Sequence, residues 1–247
     1  MTPPTFTVWI STRNAEPFIG KCIASLRTQT FTDYEAIFID DVSTDRTWQA
    51  AMDAIDSDPR FRSIQNITRQ RQVGSFLETF PQMAGRIIVE LDGDDWFCRD
   101  DALAQILACY AGPNVQATSG RYRSTFGFES PAWVGTRRGA FNDLPATMCA
   151  PRTWLRDLTV RALAEIPEVF YGPDHRPWQS AGDLALFGPV LHMASGITST
   201  VDAVYEVNMM NPESDWVVGQ REQGECASQL IEMWRTRQLA ITVGANS

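Results

Sequence analysis

The stretch Arg86-Ile87-Ile88-Val89-Glu90-Leu91-Asp92-Gly93-Asp94-Asp95 decides how this 247-residue chain is read. A β-branched apolar run ends in three carboxylates within four positions. Such a run belongs to a strand buried in a sheet, where unpaired carboxylates are costly. The acids must therefore sit at the strand's exposed carboxyl end, the edge at which open α/β sheets bind ligands. Carboxylates converging there attract a divalent cation, which commonly holds phosphate oxygens as well. The Asp-x-Asp spacing points to an enzyme that handles a nucleotide diphosphate.

Upstream, Phe6-Thr7-Val8-Trp9-Ile10 and Tyr34–Ile39 read as two more buried strands, the second ending in Asp40-Asp41, and Phe61–Ile64 as a short third. Ile19, Cys22, Ile23 and Leu26 recur at i, i+3, i+4 and i+7, one face of a helix that Glu16-Pro17 can open. Trp48, Ala51, Met52 and Ile55 form a second stripe, with Ser43 or Thr44 as its cap. A third helix is expected around 75–83, cut short by Pro81. Short β-α-β crossovers of this kind build a parallel sheet. Further helices are expected at 101–110, about 152–166, 182–194 and 222–238, and strands near 115–119 and at 200–207. Residues 121–150 lack periodicity and read as loop and irregular strand. The fold expected is α/β, a mostly parallel Rossmann-like central sheet flanked by helices in a single domain spanning 1–247.

Composition narrows the function. Apolar residues make up 44% and charged residues 21% of the chain, ordinary for a soluble globular protein. A net charge of -9 argues against a nucleic-acid binder recruited by bulk charge. The charge is uneven, however: residues 121–161 hold seven arginines against Glu129, Asp143 and Asp157, a local +4. Five scattered cysteines without a C-x-x-C pair, and two histidines without zinc spacing, argue against a disulfide framework or a zinc site and for a reducing compartment. No signal peptide is expected before Phe6 and no apolar run reaches membrane-spanning length. A cytoplasmic protein without an integral membrane segment is expected, with peripheral attachment open.

In this order the pieces resemble the GT-A fold glycosyltransferases, in particular the large family 2. Thr12-Arg13-Asn14 with Pro17-Phe18-Ile19 resembles that family's opening loop, and Cys22-Ile23-Ala24-Ser25-Leu26-Arg27-Thr28-Gln29-Thr30 its first helix. Tyr34 to Asp45 is similar to its "E-I-I-x-x-D-D-G-S-x-D", with Val42 in place of the usual small residue. Arg71 to Gly74 resembles "A-R-N-x-G", with Gln72 at the Asn position, and Asp92-Gly93-Asp94-Asp95 is the metal motif. Tyr205-Glu206-Val207-Asn208 stands where the family often has "Y-R-x-H".

The resemblance implies a metal-dependent, inverting transferase that moves a sugar from a nucleotide diphosphate donor, UDP- or dTDP-linked, to an acceptor hydroxyl. Thr12, Asn14, Asp41 and Arg71 would contact the base and ribose. An aspartate there accepts a hydrogen bond from an imide N–H, which separates uracil or thymine from cytosine. Asp94 would ligate Mg²⁺ or Mn²⁺, with Asp92 beside it at metal or ribose, and Asp95 would orient the site or meet the donor sugar. Asp183, at a helix start, would be the base that deprotonates the acceptor, with Trp178 stacking on a ring and Asp174 and His175 as a weaker acid–base pair. Residues 1–120 would be the nucleotide-sugar half, and 121–247, with the C-terminal helix, the half that holds acceptor and base. The +4 segment, with Tyr122, Phe126, Phe128, Trp133 and Phe141, could face a glycan, a lipid-linked sugar or a hydroxymethylated DNA base. Two other readings remain open on the sequence: a sugar-nucleotide nucleotidyltransferase, which the lack of a Gly-rich loop after the first strand disfavours, and a non-catalytic nucleotide-sugar-binding module.

Overall fold

A computed structural model describes residues 2–131, 149–214 and 220–244 of the chain. Its first part alternates strictly: β1 (Phe6–Thr12), α1 (Glu16–Arg27), β2 (Tyr34–Asp40), α2 (Thr47–Ile55), β3 (Phe61–Gln65), α3 (Arg71–Thr79) and β4 (Ile87–Asp92). Then follow β5 (Trp96–Phe97), α4 (Ala102–Cys109), β6 (Ala117–Ser119), β7 (Tyr122–Ser124), β8 (Arg152–Leu155) and α5 (Arg156–Glu165). The chain continues through α6 (Gly182–Met193), β9 (Ile197–Thr198), β10 (Tyr205–Val207) and α7 (Gln220–Gly244).

Seven strands form the main sheet in the order β3-β2-β1-β4-β8-β6-β9. The first four are mutually parallel, β8 runs antiparallel to both β4 and β6, and β9 pairs parallel to β6. The expected α/β architecture, a mostly parallel sheet flanked by helices, is what the structure has. A period of two divides β1, β2 and β4 between two cores. Phe6, Val8, Ile10, Phe38, Val89 and Leu91 face α1, α2 and α4, whereas Trp9, Ile37, Ile39 and Ile88 face α3, α5, α6 and Trp234 of α7. Each fully buried side chain of this size stabilises the fold by about 1.5–3 kcal/mol. A small second sheet, β5-β10-β7, folds against the carboxyl end of β4. Among the described residues no helix is long and apolar enough to cross a membrane.

Four local expectations are corrected. The third helix begins at Arg71 rather than near Ser75, and after Thr79 the chain tightens into a 3₁₀ turn over Phe80–Gln82, where Pro81 sits. The helix expected from about 152 begins at Arg156, because Arg152–Leu155 pairs with β4 and β6 as a strand. Only Tyr205–Val207 of the expected strand 200–207 joins a sheet, since Thr200 bonds Arg121 and Asp202 in a turn instead. Neither Ser43 nor Thr44 caps α2; Ser43 is tied to Asp40 and Asn14, and Thr44 to Asn14.

Candidate active site

The carboxyl ends of β1, β2 and β4, the start of β8, the start of α6 and the loop after β10 surround one cavity of about 610 Å³. Its lining includes Thr12, Asp41, Arg71, Asp92, Asp94, Asp95 and Asp183, so seven of the eight site residues singled out in the sequence meet there. Asn14 does not line the cavity. Its side chain accepts the Thr44 N–H at 2.9 Å and donates to Glu213 at 3.3 Å, joining the loops on either side.

The two acids ending β2 differ. Asp40 is fully buried and bonds Ser43 in its own turn and Gln65 at the end of β3. Asp41 lines the cavity while accepting from Asn66 Nδ2 (2.8 Å), the Gln70 N–H (2.7 Å) and the Arg71 N–H (2.8 Å). It therefore holds the N-terminal end of α3 from the neighbouring strand, which is why that helix starts early. A carboxylate has about four acceptor positions. Three are filled by hydrogen bonds, and the fourth lies on Oδ2, which takes the Arg71 N–H and stands 4.0 Å from Arg69 Nε.

The turn after β4 is crowded against Thr12. A Cβ on Gly93 would lie 2.4 Å from Thr12 Oγ1, so the middle of the Asp-Gly-Asp turn must lack a side chain. Thr12 Oγ1, Arg13 Nε and Asn208 Nδ2 are buried without a hydrogen-bond partner, and all three residues line the cavity. Orphaned buried polar atoms are rare in folded proteins and mark places where a ligand completes the bonding.

The three acids of the turn are held apart by distinct partners. Tyr205 supports the turn by accepting the Asp92 N–H at 3.1 Å, and its hydroxyl also bonds Asp95. Asp95, 6% exposed, accepts the Asn208 N–H at 2.7 Å, and Asp94 accepts from Asn211 Nδ2 at 2.8 Å. Burial, and after it the charge of Glu90, pushes the Asp92 carboxyl up to about 8, with Arg152 pulling the other way. Burial, then Asp94 and Asp92, raises Asp95 well above the carboxylate range. Acids so placed are electrostatically incomplete and favour a cation. Among the described residues no three His, Cys, Asp or Glu side chains converge as a protein-only metal cage. The available donors are Asp92 and Asp94 on one turn, a set that suits a cation sharing its remaining positions with phosphate oxygens and water.

Asp183 is the first-turn acid of α6, half-exposed at the cavity, with its Oδ1 accepting the Leu184 N–H at 2.8 Å. The helix enters through Ala181 in the left-handed region, and Gly182 packs so tightly that a Cβ would lie 2.0 Å from Gln72 Oε1. Gln72 in turn donates to Glu90 at 2.7 Å and reaches Asp92 at 3.5 Å. Two expectations fail here. Trp178 is core, not a sugar platform: it is 4% exposed and its Nε1 donates to the Val169 carbonyl at 3.0 Å. Asp174 and His175 lie in an exposed turn outside the cavity. Tyr122 lines the cavity and Phe126 and Phe128 are exposed, while Trp133, Phe141, Arg137 and Arg138 lie outside the described residues.

With this geometry in place, likeness to known proteins is informative. The sequence profile of glycosyl transferase family 2 matches residues 7–168, well over half of the chain. The chain belongs to glycosyl transferase family 2. Over 101 residues, 40% of its length, it is 33% identical to chondroitin synthase of Escherichia coli, of which the match covers 14%. Over 122 residues it is 29% identical to an uncharacterised glycosyltransferase of Haemophilus influenzae, covering 49% of this chain and 48% of that one. The chain thus spans less than half the length of these curated relatives. Its fold superimposes on S. aureus TarS 1–349 in complex with UDP-GlcNAc with a TM-score of 0.69 at 19% identity, over 86% of this chain and 60% of that one. The mannosyltransferase PcManGT from Pyrobaculum calidifontis, solved with GDP-Man and Mn2+, gives a TM-score of 0.64 at 17% identity, over 93% and 64%. The fold of this family 2 member is GT-A.

Sequence reasoning missed one side chain at the centre of the site. Arg152, 7% exposed, bonds Glu90 at 2.6 Å and stands 3.7 Å from Asp92 and 3.8 Å from Asp183. A helix expected from about 152 hides it, since on a helix Arg152 does not stand beside β4. The strand-favouring pair Thr153-Trp154 at the centre of Arg152–Leu155 is the one local signal that points to a strand.

Proposed function

We propose that this chain is a metal-dependent, inverting glycosyltransferase that moves a sugar from a UDP- or dTDP-linked donor to an acceptor hydroxyl. The observation that carries the reading is the meeting of Asp41, the Asp92–Asp95 turn and Asp183 in one cavity. Asp41 binds the base. Its one remaining acceptor position suits the single imide N–H of uracil or thymine, whereas guanine offers two donors side by side. Thr12 and Arg71 border the same end and contact base or ribose, with Asn14 tying the loop after β1 to Thr44 and Glu213. Asp92 and Asp94 hold Mg²⁺ or Mn²⁺ with the donor's diphosphate, and Asp95 fixes the turn against β10. When bound, the cation spreads the charge that builds on the leaving diphosphate.

Asp183 takes the proton from the acceptor hydroxyl through Oδ2, since Oδ1 is committed to the helix backbone. Positioning and charge stabilisation supply most of the acceleration. Residues 1–120 provide the donor half, and 121–247 the base and the acceptor wall. The acceptor is a glycan, a lipid-linked sugar or a modified DNA base. A DNA acceptor makes transfer fall steeply with added salt, and salt-insensitive transfer to a neutral sugar removes it. The site of action is the cytoplasm, where nucleotide sugars are made, free or against the membrane surface.

Thermal stabilisation against nucleotides and nucleotide sugars, with and without Mn²⁺, tests the reading. A rise specific to UDP or dTDP and dependent on Mn²⁺ is expected. A rise with nucleoside triphosphates alone, together with release of pyrophosphate, would overturn it in favour of nucleotidyl transfer.

A further inference from the structure

We propose that Arg152 is a positioning residue that holds the base Asp183 in fixed relation to the donor-binding turn. The inference rests on the glycosyl-transfer reading above and adds to it a buried cation that acts through the base beside it.

The geometry is that of an anchored fork. Glu90, 2% exposed, takes the Arg152 Nε at 2.6 Å and is itself held by Gln72 at 2.7 Å. With Nε anchored, the two terminal nitrogens spread to different acids, one 3.7 Å from Asp92 Oδ2 and the other 3.8 Å from Asp183 Oδ2. A guanidinium is planar, so anchoring Nε fixes both arms. Among the described residues Asp183 is otherwise tied to its neighbour Leu184, and Arg152 links its carboxylate to the sheet. Both contacts are longer than a hydrogen bond, so the arm orients the carboxylate while leaving its lone pair for the incoming proton.

Charge supports the same role. Asp92, Asp94, Asp95 and Asp183 line one cavity, so their negative charges are gathered at one place. Burial works against the charge of Arg152, but Glu90, Asp183 and Asp92 together hold it well above the ordinary arginine value. The cation is therefore permanent, and it offsets part of the negative charge gathered at the cavity.

The test is a double-mutant cycle on Arg152→Gln and Asp183→Asn, with Arg152→Lys beside it. The readouts are UDP affinity with Mn²⁺ by calorimetry, melting temperature, and turnover of the nucleotide sugar that stabilises the protein, read as released nucleoside diphosphate. Arg152→Gln is expected to lower kcat about 100-fold, the cost of misplacing a reacting group by about 1 Å, while UDP affinity changes less than about threefold. In the Asp183→Asn background it should cost nothing further, because the two act as one unit. Arg152→Lys keeps the charge without the fork and should rescue little, and it carries the test if the glutamine variant does not fold. Additive losses, UDP affinity falling in step with kcat, or wild-type turnover by Arg152→Lys would overturn the proposal. Undiminished turnover by Asp183→Asn would instead overturn the base assignment, and this inference with it.

Discussion

The four strands from Phe6 to Asp92 and the shorter ones that follow reach the same cavity by opposite routes. In β3-β2-β1-β4 every strand runs the same way, so each delivers its last residues to one edge: Thr12, Asp41 just beyond β2, and Asp92. β8 runs antiparallel beside β4 and delivers its first residue instead, which is Arg152. The parallel side gathers acids that a cation or a nucleotide can use. The antiparallel strand brings in a cation of the chain's own. Strand direction thus decides which end of a strand is available for chemistry, and the reversed strand sets Arg152 among the acids, beside the Arg13, Arg69 and Arg71 that also line the cavity.

The contrast can be broken most sharply on the acid side. Asp94→Ala should abolish sugar transfer, by about a thousandfold or more given the several kcal/mol a bound cation supplies. It should also remove the Mn²⁺-dependent part of UDP stabilisation, while far-UV circular dichroism stays unchanged. Full turnover by that variant would end the assignment of the turn. Gly182→Ala probes the seam between the two sides, where Gln72 fills the space a Cβ needs. It should destabilise the protein by about 1–3 kcal/mol in urea unfolding and lower kcat, because Asp183 is the next residue. An unchanged denaturation midpoint would show that α6 and α3 are not packed as described.

Two smaller effects sharpen the picture away from the acids. Trp178→Phe loses the bond to the Val169 carbonyl and should cost about 1 kcal/mol of stability with KM for donor and acceptor unchanged. A raised acceptor KM would return the ring to the substrate. Val42, a β-branched residue at φ 62°, replaces the small residue usual after the aspartates. Val42→Gly should therefore stabilise the fold by about 1 kcal/mol, read as a higher midpoint at unchanged m. A lower midpoint would mean that the side chain is worth more than the backbone strain.

The same division explains what could be read in advance. β1, α1, β2, α2 and β4 carry full periods of two or 3.6, and their acids stand directly after buried runs, so strands and cavity residues alike were visible. The start of α3 was not, because Asp41, 30 residues upstream of Arg71, holds it through the backbone. Nor was β8, whose four residues are too few to show a period and become a strand only between β4 and β6. Trp178 was misplaced because a large aromatic beside a functional acid looks the same whether it faces a ligand or the core. Its indole bond to Val169 is a tertiary fact. Asn211 and Gln72 have no local signature either, since their acids come from distant parts of the chain.

The loops around the cavity hold Asn14, Val42, Arg71 and Ala181 in the left-handed region of the backbone, with φ from 51° to 62°. For anyone building libraries to retarget the donor, these four positions invert the usual rules of substitution. Glycine and asparagine relieve the backbone there, whereas alanine, valine and isoleucine load it. A randomised loop that ignores this gives up about 1 kcal/mol at each such position. One that fixes these four positions and varies Thr12, Arg13 and Met209 can explore new ligands on a frame that keeps its shape.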